Sequence, residues 1–515
     1  MKKNIFLLFL AISCTSFSFA QNTDSTIVKT TNGSLRGSVE TDGIRSFKGI
    51  PFAQPPVGDL RWKEPQPPKN WKGIRSAGHF GPQAMQRFIY SDMQFRSAGK
   101  SEDCLYLNVW TPAKTSGEKL PVLVYFYGGG FSAGDGSEYR YDGESLAQKG
   151  IVTITVNYRL GIFGFLAHPE LTHESPHHSS GNYGLMDQHA ALLWVQKNIA
   201  AFGGDPKKVT IGGESAGSMS VSVQVASPLS KGLFEGAIAE SGSCLGAPTK
   251  TLTDAELIGT KFAQSVNALS LADLRKIPAD SLLNLSAHAH FPVTIDGYLL
   301  PDAPNAIFAA GKQMHVPLLV GWNSAETDYH NMMGDTPPTL DNYKAALIKA
   351  DPAHADDLFK AYPAATDSDV MRAATNLASD HFIAYSTWKF MDMQAKTSGK
   401  PVYHYQFARK RPAFANGQPN DKQMGASHSS EIEFALGNLA TNKVYAWSPD
   451  DYKVSQTLEN YFANFIKTGD PNGDGLPKWD SLPSSEPKVM VIDLNTRSVP
   501  APNTAGELLM DSFNK

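Results

Sequence analysis

Short apolar runs rich in Val, Ile and aromatic residues alternate along the chain with stretches whose apolar positions recur at helical spacing. Residues 121–127 and 151–158 each read as a buried strand. Residues 185–201 place Leu185, Leu192, Leu193, Val195 and Ile199 at helical intervals and predict a helix. Val209-Thr210-Ile211 predicts a short strand that runs into a glycine-bounded turn, with a helix starting near Ala216. Residues 317–321 and 402–407 are further strand candidates. Pro317 can only open its strand because it has no amide to donate. The segment from 330 to 400 reads as mostly helical and predicts a subdomain beside the main sheet. Strands alternating with helices imply an α/β architecture with a large, mostly parallel sheet. No internal repeat or low-complexity linker divides the chain, and proline-rich 51–68 reads as an ordered surface segment. A single domain over residues 21–515 is therefore expected, although 515 residues alone would permit several.

Composition narrows the function classes. A hydrophobic content of 41% and a charged content of 19% fit a folded protein with a large core. A formal charge of −4 leaves no electrostatic footprint for nucleic acid. The first twenty residues read as a signal peptide. Lys2 and Lys3 precede an apolar run over 5–12, and Ser18-Phe19-Ala20 offers a small-residue cleavage site. Cleavage after Ala20 removes two lysines and no acid, taking the charge from −4 to −6. The expected location is secreted or periplasmic. The alternative, lipoprotein processing at Cys14, has a poor signal in Ala11-Ile12-Ser13. No integral membrane span is expected, since no later stretch reaches the roughly 18 apolar residues a membrane helix needs. Cys104 and Cys244 could pair in an oxidising compartment or remain buried thiols.

The chemistry concentrates in two glycine-rich turns. Gly213-Glu214-Ser215-Ala216-Gly217 lies between a predicted strand and a predicted helix, the setting of a nucleophile elbow. Its glycines let the chain turn sharply and lift Ser215 toward the C-terminal end of the sheet. Tyr127-Gly128-Gly129-Gly130-Phe131 follows the strand at 121–127. The amides of Gly129 and Gly130, with that of Ala216, can point at an oxygen that becomes negative during acyl transfer. Neither a metal nor a cofactor is called for, and a small-molecule ester is the expected partner. Oligomeric state stays open.

At this point the chain resembles the type-B carboxylesterase and cholinesterase family of the α/β-hydrolase superfamily. The resemblance rests on Phe202-Gly203-Gly204-Asp205-Pro206 with 209–217, and on Glu102-Asp103-Cys104-Leu105-Tyr106-Leu107-Asn108-Val109. It extends through Phe47-Lys48-Gly49-Ile50-Pro51, Asn157-Tyr158-Arg159-Leu160-Gly161 and Gly181-Asn182-Tyr183-Gly184-Leu185 to Thr468-Gly469-Asp470-Pro471-Asn472 and Trp479. The resemblance implies the chain order serine, acid, histidine. It puts the acid at Glu326 in Gly321-Trp322-Asn323-Ser324-Ala325-Glu326, with Asp328 as a nearby competitor. It puts the base at His428 in His428-Ser429-Ser430-Glu431-Ile432-Glu433-Phe434. Ser241 matches a serine that supports the triad, an ordinary turn serine being the plainer reading, and Glu214 is taken as a second supporting residue. Arg61 with Glu102, and Arg159 with Asp187, match structural ion pairs. The implied activity is hydrolysis of carboxylic esters through an acyl-enzyme.

Two departures and two discounted motifs refine this. The family often bridges its counterpart of Cys104 to a cysteine some twenty residues earlier, but 80–86 contains none, so the 84–104 loop is expected to be less tethered. Residues 90–100 contain no tryptophan to stack on a quaternary ammonium, so a choline ester is not the expected substrate. Asp470-Pro471-Asn472-Gly473-Asp474-Gly475 resembles a calcium loop, but its twelfth position is Ser481, so a turn is the better reading. His173, His177 and His178 sit in a polar loop without the pattern of a metal site. Two alternatives stand beside the leading one. The first is an esterase removing acyl or aromatic groups from an extracellular polymer or xenobiotic. The second is a neuroligin-like binding module, which would lack the serine this chain retains.

Overall fold

The computed structural model describes residues 26–40, 42–247, 249–420, 424–501 and 504–513. The signal-peptide reading and Cys14 fall outside those residues. Eleven strands form the main sheet: β1 Ser38–Val39, β2 Arg45–Pro51, β3 Tyr106–Thr111, β4 Leu120–Phe126, β5 Val152–Val156, β6 Gly204–Glu214, β7 Gly236–Glu240, β8 Leu318–Asn323, β9 Val402–Phe407, β10 Lys488–Ile492 and β11 Arg497–Pro500. Their spatial order is β11-β10-β9-β8-β7-β6-β4-β5-β3-β2-β1. The seven strands from β10 to β5 run parallel, while β11 at one edge and β3, β2 and β1 at the other each pair antiparallel with the neighbour on their inner side. The central strands β4, β5 and β7 read as near-continuous buried runs, because a parallel sheet is covered on both faces.

Among the covering helices are α1 Tyr183–Asn198, α2 Ala216–Ala226, α3 Asp367–Ser379, α4 Tyr385–Thr397, α5 Pro449–Thr468 and α6 Ala505–Phe513. Helix α1 buries Leu185, Leu192 and Val195 as its spacing predicts, but Leu193 is exposed. Helix α5 begins with a capping box, Ser448 to Asp451, behind Pro449 and ends at left-handed Gly469. The segment 330–400 is helical as expected, and a π-helical turn, Asp380–Ala384, joins α3 to α4. Predicted strand positions hold, with two extensions. The short strand at 209–211 is the middle of β6, which starts at Gly204, and β8 continues past Gly321 to Asn323.

Two ion pairs, the first fully buried and the second partly buried, tie distant segments together. Arg159 holds Asp187 bidentately at 2.8 and 2.8 Å, and Arg61 holds Glu102 bidentately at 2.6 and 2.6 Å. Cys104 and Cys244 are free buried thiols, and burial pushes the Cys244 thiol up to about 12.

The 84–104 loop departs from expectation. It lacks a disulfide but is tied down by polar contacts. Gln86 both donates to Gly134 O and accepts from Gly134 N, at 2.8 and 2.9 Å. Arg96 pairs with Asp142 at 2.6 Å and donates to Ser137 O, Ser97 bonds Asp135, and Asp92 lies 3.3 Å from Arg140. Several distributed hydrogen bonds to 134–142 replace one covalent link.

Candidate active site

The turn from β6 into α2 carries Ser215 at φ 56° and ψ −121°, a conformation outside the usual regions for a side-chain-bearing residue. Such strain persists only where surroundings impose it. Here Ser215 N donates to Glu240 O at 2.9 Å, tying the turn to β7. A Cβ on Gly217 would lie 1.9 Å from Phe126 O, so only glycine lets α2 start this close to β4. At Gly128 a Cβ would meet Glu214 Oε2 at 2.6 Å, so the first glycine of the loop after β4 makes room for that carboxylate.

The chain ends of β8 and the loop before Ile432 bring the remaining groups in. Ala325 N donates to Ala426 O at 2.9 Å, and His428 N donates to Glu326 O at 3.2 Å. These bonds zip the two loops together. His428 Nε2 lies 2.9 Å from Ser215 Oγ, and His428 Nδ1 lies 2.8 Å from Glu326 Oε2. Asp328, the competing acid, faces His330 at 3.1 Å instead. Ser241 Oγ donates to Glu326 Oε1 at 2.6 Å. Glu214 Oε1 stands 3.3 Å from His428 Nε2. Gly129, Gly130 and Ala216 line the same pocket as Ser215, and no described residue accepts from the amides of Gly129 or Gly130.

Sequence reasoning assigned no role to three further residues. Asn323 N donates to Glu326 Oε1 at 2.6 Å, while Asn323 Nδ2 donates to Glu431 Oε2 at 2.6 Å and to Ser427 O at 3.0 Å. Glu431 follows His428 by three positions, and that spacing was the one available signal. Arg411 Nη2 donates to Ser429 O at 2.6 Å and so fixes the residue after the histidine, a contact with no local sequence signature.

Electrostatics follow from this crowding of acids behind the imidazole. Burial pushes the Glu214 carboxyl up to about 8, partly offset by His428. Burial and the neighbouring Glu326 carboxylate push Glu431 up to about 7. Glu240 is also raised by burial, and Tyr125 donates to its Oε1 at 2.9 Å. For His428, burial opposes protonation, but Glu214 and then Glu326 outweigh it and raise the ring to about 9.

The pocket around Ser215 encloses about 410 Å³. Tyr90, Met93, Tyr141, Met219, Phe382 and Ile383 give it apolar walls. Phe382, from the π-helical turn, sets its ring edge-to-face with His428 at 5.0 Å between centroids. Arg140 also reaches the pocket but is committed to Glu138 at 2.6 Å. His177 stacks on Tyr298, and the Asp470 carboxylate accepts from Asn472 within its own turn.

Residues 24–508 match the carboxylesterase family. Fumonisin B1 esterase of Sphingopyxis macrogoltabida is 37% identical over 485 residues, covering 89% of this chain and 85% of that protein. Human cocaine esterase is 33% identical, covering 90% of this chain and 88% of that protein. Among solved structures, PNB esterase superposes with a TM-score of 0.80 at 31% identity, covering 94% of this chain and 99% of that one. No helix of the described residues is long and apolar enough to cross a membrane. With its parallel sheet, its elbow and this similarity along nearly the whole chain, the protein belongs to the carboxylesterase family of α/β-hydrolases and is a carboxylic-ester hydrolase.

Proposed function

We propose that the chain, exported after cleavage behind Ala20, works as one domain that hydrolyses neutral, small to medium esters through an acyl-enzyme on Ser215. The reading is carried by the continuous hydrogen-bonded chain from Ser215 Oγ through His428 to Glu326, at 2.9 and 2.8 Å. His428 Nε2 takes the serine proton as Oγ attacks the ester carbonyl, then delivers it to the leaving alcohol. Glu326 accepts from Nδ1–H, which leaves Nε2 free as the base and stabilises the imidazolium that forms. The amides of Gly129, Gly130 and Ala216 receive the oxyanion. Water activated by His428 then releases the acid. Ser241 and Asn323 hold Glu326, and Glu214 adds negative charge beside the imidazolium. The apolar walls, with Arg140 already paired, favour uncharged acyl and alcohol groups. The similarity to esterases named for fumonisin B1 and for cocaine supports ester cleavage, without selecting a substrate.

The test is hydrolysis of a 4-nitrophenyl ester series of increasing acyl length by wild type and Ser215→Ala. A loss of about a millionfold in kcat is expected, as when other serine hydrolases lose their nucleophile. Equal turnover by both proteins would remove Ser215 from the mechanism.

A further inference from the structure

His428 sits at the corner of a tight turn. Ser430 N donates to Ser427 O at 3.1 Å and closes the turn over residues 427–430. His428 takes its second position and Ser429 its third; φ is 64° at Ser429 and not positive at His428. A negative φ followed by a positive one marks a type II turn, whose third position favours glycine or asparagine. A left-handed φ is unfavourable for serine because Cβ crowds the following carbonyl oxygen. Such an outlier persists only where its surroundings impose it. A return of Ser429 to a right-handed φ would make the turn type I. The 428–429 peptide would then flip, taking ψ of His428 from about 120° to about −30°. The backbone that carries the imidazole is therefore tied to the conformation of Ser429.

Two buried guanidinium groups grip that residue. Arg411 Nη2 donates to Ser429 O at 2.6 Å, and Arg140 Nη1 makes a longer contact with Ser429 Oγ at 3.4 Å. Arg411 and Arg140 are 5% and 3% exposed, so each needs an acid beside it. Arg411 Nη2 donates to the two Glu433 oxygens at 2.9 and 3.1 Å, and Arg140 Nε donates to Glu138 at 2.6 Å. Asp92 stands between the two cations, 3.3 Å from Arg140 Nη1 and 4.0 Å from Arg411 Nη1. Asp92 belongs to the 84–104 loop and lines the Ser215 pocket, so the same contacts join a pocket wall to the histidine turn. We propose that Arg411 is a positioning residue for His428: it holds Ser429 left-handed and so keeps the imidazole directed at Ser215, with Arg140 and Asp92 completing the clamp. The proposal rests on His428 being the base. Arg411 acts through the turn alone, so glycine at 429, which adopts a positive φ at no steric cost, should make it less necessary.

The experiment measures kcat and KM for 4-nitrophenyl butyrate in wild type, Arg411→Met/Glu433→Gln, Ser429→Gly and the triple variant. Replacing both members of the ion pair leaves neither charge stranded. Without the clamp kcat should fall about tenfold, the bias against a left-handed serine, while KM stays within about twofold. Adding Ser429→Gly should bring kcat back to within about threefold of wild type, because glycine takes either sign of φ about equally. In the wild-type background Ser429→Gly should not raise kcat. The proposal is overturned if Arg411→Met/Glu433→Gln keeps full kcat, if Ser429→Gly fails to restore it, or if Ser429→Gly raises kcat equally in both backgrounds. Should Arg411→Met/Glu433→Gln fail to fold by circular dichroism, Arg411→Lys decides by the same comparison, since lysine keeps the charge beside Glu433 but loses the planar fork. His428→Gln separates this proposal from the reading beneath it. An inactive His428→Gln protein leaves the base in place and the comparison judges the clamp alone. One as active as wild type would show that His428 is not the base, and both readings would fall.

Discussion

Replacing Glu214 by glutamine removes the carboxylate nearest His428 Nε2 while keeping its shape. Glu214 Oε1 lies 3.3 Å from His428 Nε2. At that separation an ion pair is worth about 5 kcal/mol in an effective dielectric of about 20. That figure is a ceiling, because about 24% of the His428 side chain is open to the pocket and Glu214 is itself raised to about 8 by burial. The imidazole rises from 6.5 to about 9 even though burial works against it, and Glu214 is the leading raising influence. A rise of that size corresponds to roughly 3.4 kcal/mol at about 1.36 kcal/mol per unit. Glu326 and Glu431 also contribute, so Glu214 accounts for part of that rise. On the proposed mechanism His428 must be neutral to accept the serine proton, so wild-type kcat/KM should increase with pH through about 9. Glu214→Gln should move that limb to lower pH, between 6.5 and about 9. Its high-pH plateau should fall about tenfold, because the imidazolium of the transition state loses a stabilising charge. The assay is kcat/KM for 4-nitrophenyl butyrate from pH 5 to 10, corrected for spontaneous hydrolysis. An unchanged midpoint would refute the assignment of Glu214 as a partner of the ring.

Three further outcomes are expected. Ser241→Ala removes the 2.6 Å bond to Glu326 but leaves that of Asn323 N, so kcat for a nitrophenyl ester should fall about tenfold while KM stays level, by the net worth of one charged hydrogen bond. Asp328→Asn should leave kcat/KM within about twofold, because Asp328 faces His330, whereas Glu326→Gln should lower it by about 10⁴-fold; the reverse order would make Asp328 the acid. Arg159→Leu strands the fully buried Asp187 carboxylate, so urea unfolding followed by fluorescence should show a loss of about 3–5 kcal/mol; a shift below about 1 kcal/mol would show the pair to be dispensable.

Much of the fold was legible in advance because its signals are local. Buried parallel strands must be apolar on both faces, which marked β4, β5 and β9. The elbow was legible because the turn at Ser215 demands glycines at 213 and 217 for close backbone approach. Leu193 was misplaced because spacing alone does not say how wide a helix's buried face is. Cysteine counting mistook the missing bridge for a loose loop, because ion pairs such as Arg96 with Asp142 carry no spacing signature.

By itself, then, the sequence determined the parts that depend on neighbours along the chain: the α/β pattern, the strained serine turn and the glycine loop after β4. Resemblance to a family added Glu326 and His428, 111 and 213 positions from Ser215 along the chain. Only the tertiary structure decided that Asn323 and Ser241 bond Glu326, that Arg411 bonds Ser429 beside His428, and that three glutamates, Glu214, Glu326 and Glu431, act on the imidazole. Those facts depend on distances across β6, β7, β8 and β9. Such distances come from the packing of the whole sheet, where burial raises the energetic weight of every charge and every unmatched hydrogen bond.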